Sequence, residues 1–240
     1  GFTKGRDRSF HFGSNDHKII GMISHLGPQM GVACGVALSN KLKNNNNVTA
    51  VFTGDGGTSQ GDFHEALNLA STWDLPVIFC IENNGYGLST PVNEQYAIEN
   101  LADRGSSYNM DSHIVDGNNI VDVYRCIDSV IKKMRKDSKP VLIEFKTFRM
   151  KGHEEASGQA YIDKKIIEEW SKKDPISHFE DYLLTSKFIS SKDLFEIKEK
   201  ISNEIDKNWS LANGYDEVDF DIDRELGDVY RDFTVEKVEI

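Results

Sequence analysis

Four short apolar runs set the frame for this chain: Val48 to Phe52, Val77 to Ile81, His113 to Val115 and Val141 to Phe145. Each is rich in β-branched or aromatic residues and bounded by turn formers, the pattern of a buried strand. Helical spacing fills the gaps between them. Pro28 to Leu42 opens on a proline suited to a first helical turn and carries many small residues. Phe63, Ala66, Leu67, Ala70 and Trp73 fall on one helical face, and Ile120, Val123, Tyr124, Ile127, Val130 and Ile131 on another. Strands alternating with helices require right-handed crossovers, which predicts the α/β class: a mostly parallel sheet flanked by helices. Ligands of such sheets gather beyond the carboxyl ends of the strands.

After Phe145 the pattern changes. "FRMKGHEEASGQAY", Phe148 to Tyr161, reads as a long polar surface loop with room for function. A helix follows, with Asp174 as its expected cap and Pro175 at its first position. Ser190 and Asp193 have capping-box spacing ahead of a charged helix whose stripe is Leu194, Ile197, Ile201, Ile205 and Trp209. From Gly214 the chain is acidic and poorly patterned, as a tail or linker would be. The expected organisation is an α/β domain over 1–186, a helix over 187–213 packed on that domain, and an acidic segment over 214–240.

Bulk properties exclude some functions. The 240 residues suffice for one large domain or two small ones. A net charge of −11 argues against nucleic acid or anionic lipid as the main partner. No apolar run approaches the roughly 20 residues of a membrane span. Cys34, Cys80 and Cys126 sit far apart among apolar neighbours and read as reduced core residues of a cytosol-type compartment. His11, His17 and His25 have no metal-ligand spacing with one another. The chain begins at Gly1 rather than Met, so a processed chain or a piece of a longer one is expected.

Chemistry concentrates in "VFTGDGGTSQGDF", where Gly54, Asp55, Gly56 and Gly57 follow a strand and precede a helix. A nucleotide P-loop needs a lysine after its last glycine, and there is none. A dinucleotide fingerprint needs a third glycine where Ser59 stands, and Asp55 would face the pyrophosphate uncompensated. A divalent cation between carboxylate and diphosphate resolves that conflict, since magnesium takes hard oxygen ligands shared between protein and phosphate. The next strand ends in "ENNGYG", Glu82 to Gly87, and a crossover brings that end beside the first. An asparagine amide oxygen and a backbone carbonyl there are further hard ligands. The glycines allow close backbone approach, and the helix after the first turn would add amide donors and a favourable dipole.

Gly54-Asp55-Gly56, a spacer, and then Asn83-Asn84 resembles the thiamine-diphosphate signature. The likeness is wider: "GRDRSFHFGS", "ISHLGPQMGVACGVAL", "GDGGTSQGDFHEALNLAS", "LPVIFCIENNGYGLSTP", "FRMKGH" and "DPI" are together similar to the alpha subunit of the 2-oxo acid dehydrogenase first component, from about Gly5 to Leu184. The resemblance implies the pyrophosphate-binding domain of the thiamine-diphosphate-binding fold. It implies that Asp55, the side chain of Asn84 and the carbonyl of Tyr86 bind Mg2+. It places the turn of Gly54, Gly56 and Gly57 at the diphosphate, the latter two through their backbone. Ser24 and Leu26 match the segment that contacts the aminopyrimidine ring. Arg149 and His153 match the active-site loop, with His153 as the catalytic histidine.

The same resemblance implies oxidative decarboxylation of a 2-oxo acid with acyl transfer to the lipoyl domain of an acyltransferase second component. Branched-chain 2-oxo acids, of the 2-oxoisovalerate (3-methyl-2-oxobutanoate) type, are the favoured substrate. Pyruvate or acetoin is the alternative. A glutamate that activates the aminopyrimidine comes, in this family, from a beta subunit or a fused beta region. Half an active site is therefore expected, completed in an alpha-beta heterotetramer or a dimer of fused chains, in the cytoplasm or a mitochondrial matrix. The family's N-terminal Tyr-Arg pair has no counterpart in this sequence, so truncation or fusion is expected. Glu154-Glu155-Ala156-Ser157 replaces the family's usual serines and aspartate after the histidine, which makes kinase control at the first of those positions unexpected. Two readings from other classes stand beside this one: a scaffold domain without cofactor, and a nicotinamide-dinucleotide-binding domain.

Overall fold

The computed structural model describes residues 10–154, 156–216 and 219–227. Two compact units divide the chain: Gly13–Phe188, which carries the sheet, and a second to which Gly1–Phe12 and Ile189–Ile240 belong.

Gly13–Phe188 is built around a four-stranded parallel sheet. Its chain order is α1 (Pro28–Leu42), β1 (Thr49–Gly54), a 3₁₀ turn (Gly56–Ser59), α2 (Gly61–Thr72) and β2 (Val77–Asn83). A two-stranded hairpin follows, β3 (Tyr86–Gly87) and β4 (Thr90–Pro91), then 3₁₀ segments Val92–Glu94 and Leu101–Tyr108. β5 (Asp111–Asp116), α3 (Ile120–Met134), β6 (Val141–Lys146), α4 (Lys164–Ser171) and α5 (Pro175–Thr185) complete it. Strand order is β1-β2-β6-β5, with all three pairings parallel. The expected α/β architecture is found. Three of the four apolar runs lie wholly within one of these strands, and the first does so except for Val48, which precedes β1; the strands extend the runs by up to two residues.

Alternation along β2 shows how the two faces are filled. Val77, Phe79 and Ile81 join Met30, Ala33, Cys34 and Ala37 of α1 and Phe63, Ala66, Leu67 and Ala70 of α2 in one buried cluster. Small residues let these two helices approach closely. Ile78 and Cys80 point the other way, to Val130 and Met134 of α3 and to Val141, Ile143 and Phe145 of β6. A strand apolar on both faces is what a parallel sheet covered by helices needs. Cys34 and Cys80 are free and buried, and Cys126 is free and half-buried.

Three local readings need correction. Trp73 was expected on the buried face of α2, but that helix ends at Thr72 and Trp73 is 48% exposed. Asp74 turns the chain with φ +47° and begins the descent to β2. On α3, Val123, Ile127, Val130 and Ile131 pack as spaced, whereas Ile120 and Tyr124 are exposed. They lie on the first turns of the helix, at the margin of the stripe. Within the acidic segment, Ile222–Gly227 forms a short helix, α7. Residues 217, 218 and 228–240 of that segment, and Gly5 to Ser9 of the "GRDRSFHFGS" match, lie outside the described residues.

Caps set the helix starts. Asn119 accepts from the Val121 and Asp122 amides ahead of α3, and Asp174 accepts from Ser177 N at 2.8 Å ahead of α5. Pro28 and Pro175 occupy first turns, where a missing N–H costs nothing. In the second unit, α6 (Ser191–Asn213) starts with the expected capping box of Ser190 and Asp193. No helix among the described residues is long and apolar enough to cross a membrane.

Candidate functional site

β1 and β2 run parallel in the register Gly54↔Glu82, so Asp55 and Asn83 leave the sheet side by side at its carboxyl edge. The two glycine-rich clusters therefore meet. A Cβ on Gly56 would lie 3.1 Å from the Gly87 Cα, and one on Gly57 would fall 2.2 Å from Thr53 Oγ1. A side chain at Gly56 would push the β1 turn away from the β3–β4 hairpin, and one at Gly57 would collide with Thr53 of β1. That is the physical reason for glycine here.

Asp55 sits at the centre of this contact, 1% exposed. One carboxylate oxygen, Oδ2, accepts from Gln95 Nε2 at 3.1 Å. The other, Oδ1, is buried without a hydrogen-bond partner. Burial pushes the Asp55 carboxyl above the usual range, while Gln95, the backbone at Asp55 and Asn84, and the charge of Arg149 hold it down. Native interiors rarely leave a carboxylate oxygen so placed, and such a group calls for an ion or another donor. Sequence reasoning expected a helix directly after this turn. A 3₁₀ turn, Gly56–Ser59, comes first, so its amides rather than those of α2 lie beside Asp55. Asp55 heads that turn, yet its side chain makes no capping bond to it.

Asn84 and Tyr86 complete the expected ligand set. Asn84 Oδ1 accepts from Tyr86 N at 3.1 Å, an Asx turn that leaves the amide oxygen a second lone pair. Gly85 stands between them with φ +87°, a conformation only glycine adopts cheaply. Among the described residues, no group of three or more His, Cys, Asp and Glu gathers to hold a metal. A cation here would rest on one carboxylate and neutral oxygens. That donor set suits magnesium, which keeps phosphate and water in its remaining positions. The unpartnered Asp55 oxygen and the glycine cradle fit such an ion.

The loop from Phe148 to Tyr161 is fastened to the same place. Tyr86 meets Phe148 and Tyr161 edge-on, with ring centroids 6.2 and 5.7 Å apart, and Phe148 stacks on Trp170 at 5.4 Å. Arg149 donates to Leu88 O at 2.6 Å and to Tyr161 Oη at 2.9 Å. Its third contact is His153 Nδ1, 3.0 Å from Nη1. A guanidinium only donates, so Nδ1 accepts and the ring proton sits on Nε2. Arg149 and His153 are thus brought together, and Arg149 is near enough for its charge to act on Asp55. Ser24 and Leu26 lie in the bend before α1, where Leu26 is 58% exposed.

Sequence reasoning missed Gln95, Glu144, Tyr96 and Arg104. Gln95 also donates to Thr90 O at 2.8 Å, tying the hairpin to Asp55. Arg104 donates to Thr58 O at 2.7 Å and lies over the Tyr96 ring at 5.6 Å, bracing the 3₁₀ turn. Only Glu144 left a signal: an acid inside the apolar run "VLIEF" must be paired if that run is buried.

Fold and site together define a parallel α/β protein that gathers a buried acid, paired glycine turns and an arginine-histidine loop at its strand ends. The chain belongs to the dehydrogenase E1 component family, whose model matches residues 1–220. It is 40% identical over 88% of its length to the alpha subunit of an acetoin:2,6-dichlorophenolindophenol oxidoreductase from Bacillus subtilis. It is 30% identical over 89% to a pyruvate dehydrogenase E1 alpha subunit from Rickettsia bellii, and 38% identical over 75% to a mitochondrial 2-oxoisovalerate dehydrogenase alpha subunit from Caenorhabditis elegans. The chain spans 63%, 67% and 42% of those three proteins.

Proposed function

We propose that Gly13–Phe188 is the thiamine diphosphate- and Mg2+-binding half of a 2-oxo acid dehydrogenase of the E1 alpha type. The observation that carries this reading is Asp55 Oδ1, buried and unpartnered beside the closely approaching Gly56 and Gly87. Asp55, Asn84 Oδ1 and the Tyr86 carbonyl would hold the cation. Gly54, Gly56 and Gly57 would admit the diphosphate against their backbone. Arg149 orients His153 so that its Nε2–H serves as a donor toward the reacting region. Ser24 and Leu26 are assigned to the aminopyrimidine ring on the family resemblance alone. When bound, thiamine diphosphate supplies the electron sink that lets a 2-oxo acid lose carbon dioxide.

A thermal-shift assay tests the reading, because a ligand of the native state raises its stability. Thiamine diphosphate with Mg2+ is expected to raise the melting temperature, with neither component sufficient alone and a nicotinamide dinucleotide without effect. A shift with the dinucleotide instead would favour a dinucleotide-binding domain, and no shift with either a bare scaffold.

The site is proposed as half of an active site. A beta subunit or fused beta region would contribute the acid that pairs with the aminopyrimidine, and the acyl group would pass to the lipoyl domain of an acyltransferase. An alpha-beta heterotetramer is the corresponding assembly. This chain alone is then expected to show no decarboxylation of any 2-oxo acid. Carbon dioxide release by the purified chain, above that of the free cofactor, would refute the half-site. For substrate, the reading keeps branched-chain 2-oxo acids beside acetoin and pyruvate. Identities of 38% to a 2-oxoisovalerate relative and 40% to an acetoin relative do not separate them.

A further inference from the structure

Glu144 is fully buried in β6, one strand over from the proposed cation site. Its Oε1 accepts from Asn83 Nδ2 and from Lys146 Nζ, each at 2.6 Å, and its Oε2 accepts from Ala102 N at 2.9 Å. A carboxylate only accepts, so the Asn83 amide must turn its NH2 toward Glu144. Tyr96 Oη takes a second contact from the same NH2 at 3.2 Å. Asn83 Oδ1 is thereby aimed the other way, where it accepts from Gly85 N at 3.2 Å. Gly85 is the hinge of the turn that presents Asn84 and Tyr86. The Asn83 carbonyl is held as well, accepting from Thr147 N at 2.9 Å.

We infer that Glu144 is a positioning residue: it selects the amide orientation of Asn83 and so sets the turn that offers Asn84 Oδ1 and the Tyr86 carbonyl to a divalent cation. The inference rests on the cation site proposed above. Its chemistry is an acceptor-donor relay. Glu144 accepts from Asn83, and Asn83 accepts from Gly85. A second branch runs through Tyr96 and Arg104 to the Thr58 carbonyl, in the turn after Asp55. Lys146 balances the buried charge and keeps its own side chain 36% exposed.

Glu144→Gln perturbs the relay at constant shape. If the new amide turns its oxygen to Asn83, its NH2 faces the Ala102 N–H. If it turns its oxygen to Ala102, its NH2 faces that of Asn83, and relief requires Asn83 to flip and set a donor against Gly85 N. At least one donor loses its acceptor in either arrangement, and in the second Lys146 Nζ also faces the new NH2. Groups that orient metal ligands in this way cost about 10–100-fold in affinity when changed.

Mg2+ affinity measured by calorimetry on the whole chain with saturating thiamine diphosphate is expected to fall by that factor in Glu144→Gln. Asn83→Ala removes the relay without changing charge and is expected to give a similar loss. The double variant is expected to lose little more than the larger single one, since both act through one chain of bonds. Mn2+ in place of Mg2+ should give an altered electron paramagnetic resonance spectrum in both variants. Cation affinity in Asn83→Ala within twofold of the unsubstituted chain overturns the inference, even where Glu144→Gln is weakened, because loss of charge alone then explains the latter. Should Glu144→Gln fail to fold, Asn83→Ala still decides. An unsubstituted chain that takes up no cation with thiamine diphosphate refutes the site itself, a result distinct from intact binding that neither substitution disturbs.

Discussion

Asp55→Asn is expected to abolish Mg2+-dependent binding of thiamine diphosphate and, at pH values where Asp55 is ionised, to make the unloaded chain more stable. These effects have opposite signs because one group does two jobs. The Asp55 carboxylate would be the charged ligand of the cation, and it is also 1% exposed with one oxygen unpartnered. Burial raises its pKa above the ordinary carboxylate value, against smaller lowering contributions from Gln95 and the backbone. A carboxyl with a raised folded-state pKa favours folding most when protonated. Its favourable contribution is complete below the unfolded value and is lost as pH rises through the folded one. As Asp55 ionises with rising pH, the unloaded protein comes to bear a buried, half-satisfied charge. A neutral asparagine relieves about 1–3 kcal/mol of that, the scale of an unsatisfied buried polar group. Melting temperature should rise by several degrees, and the gain should shrink toward acid pH, where Asp55 is itself neutral. Cation affinity of the unsubstituted chain should weaken over the same acid range, because proton and cation compete for one carboxylate. Calorimetric scans of both forms with and without ligand check all of this. A less stable unloaded Asp55→Asn chain, or one still responsive to Mg2+, would remove Asp55 from the role given to it.

Phe63→Ala should give the largest loss of stability. Phe63 lies in the first turn of α2 with no exposure, inside the cluster that joins both helices of that layer to β1 and β2. Removing a buried ring leaves a cavity that its neighbours fill only in part, at a cost of about 3–5 kcal/mol. That is a large share of the roughly 5–15 kcal/mol by which a domain is stable. Denaturant titration should show the midpoint falling with little change in slope. The effect should reach the site too, since α2 begins two residues after the Gly56–Ser59 turn. A loss below about 1.5 kcal/mol would mean that this layer collapses around the missing ring and is less tightly packed than described.

Local chemistry carried much of this outcome. Val77 to Ile81 is apolar on both faces, and that alone demands a strand with helices above and below it. Pro28, Asn119, Asp174 and the Ser190-Asp193 pair act within three or four residues of themselves, so their caps and helix starts depend on little else. Asp55 between glycines, and Asn83-Asn84 at the end of the following strand, were also visible as strings. Family membership followed from motifs of the same kind. Where propensity alone was used, it overran: Trp73 continues the apolar spacing of α2, but the chain had already turned toward β2.

What folding added were pairings between distant residues. Glu144 meets Asn83 across 61 positions, and Gln95 meets Asp55 across 40. No local pattern encodes such partners, because they depend on which strand lies between which. The order β1-β2-β6-β5 inserts the last strand beside β2, and so places a buried acid next to the residue that shapes the cation turn. The string of residues named the atoms able to hold a cation. The sheet set them side by side and left Asp55 Oδ1 without a partner, since desolvation arises only when the chain closes around the group.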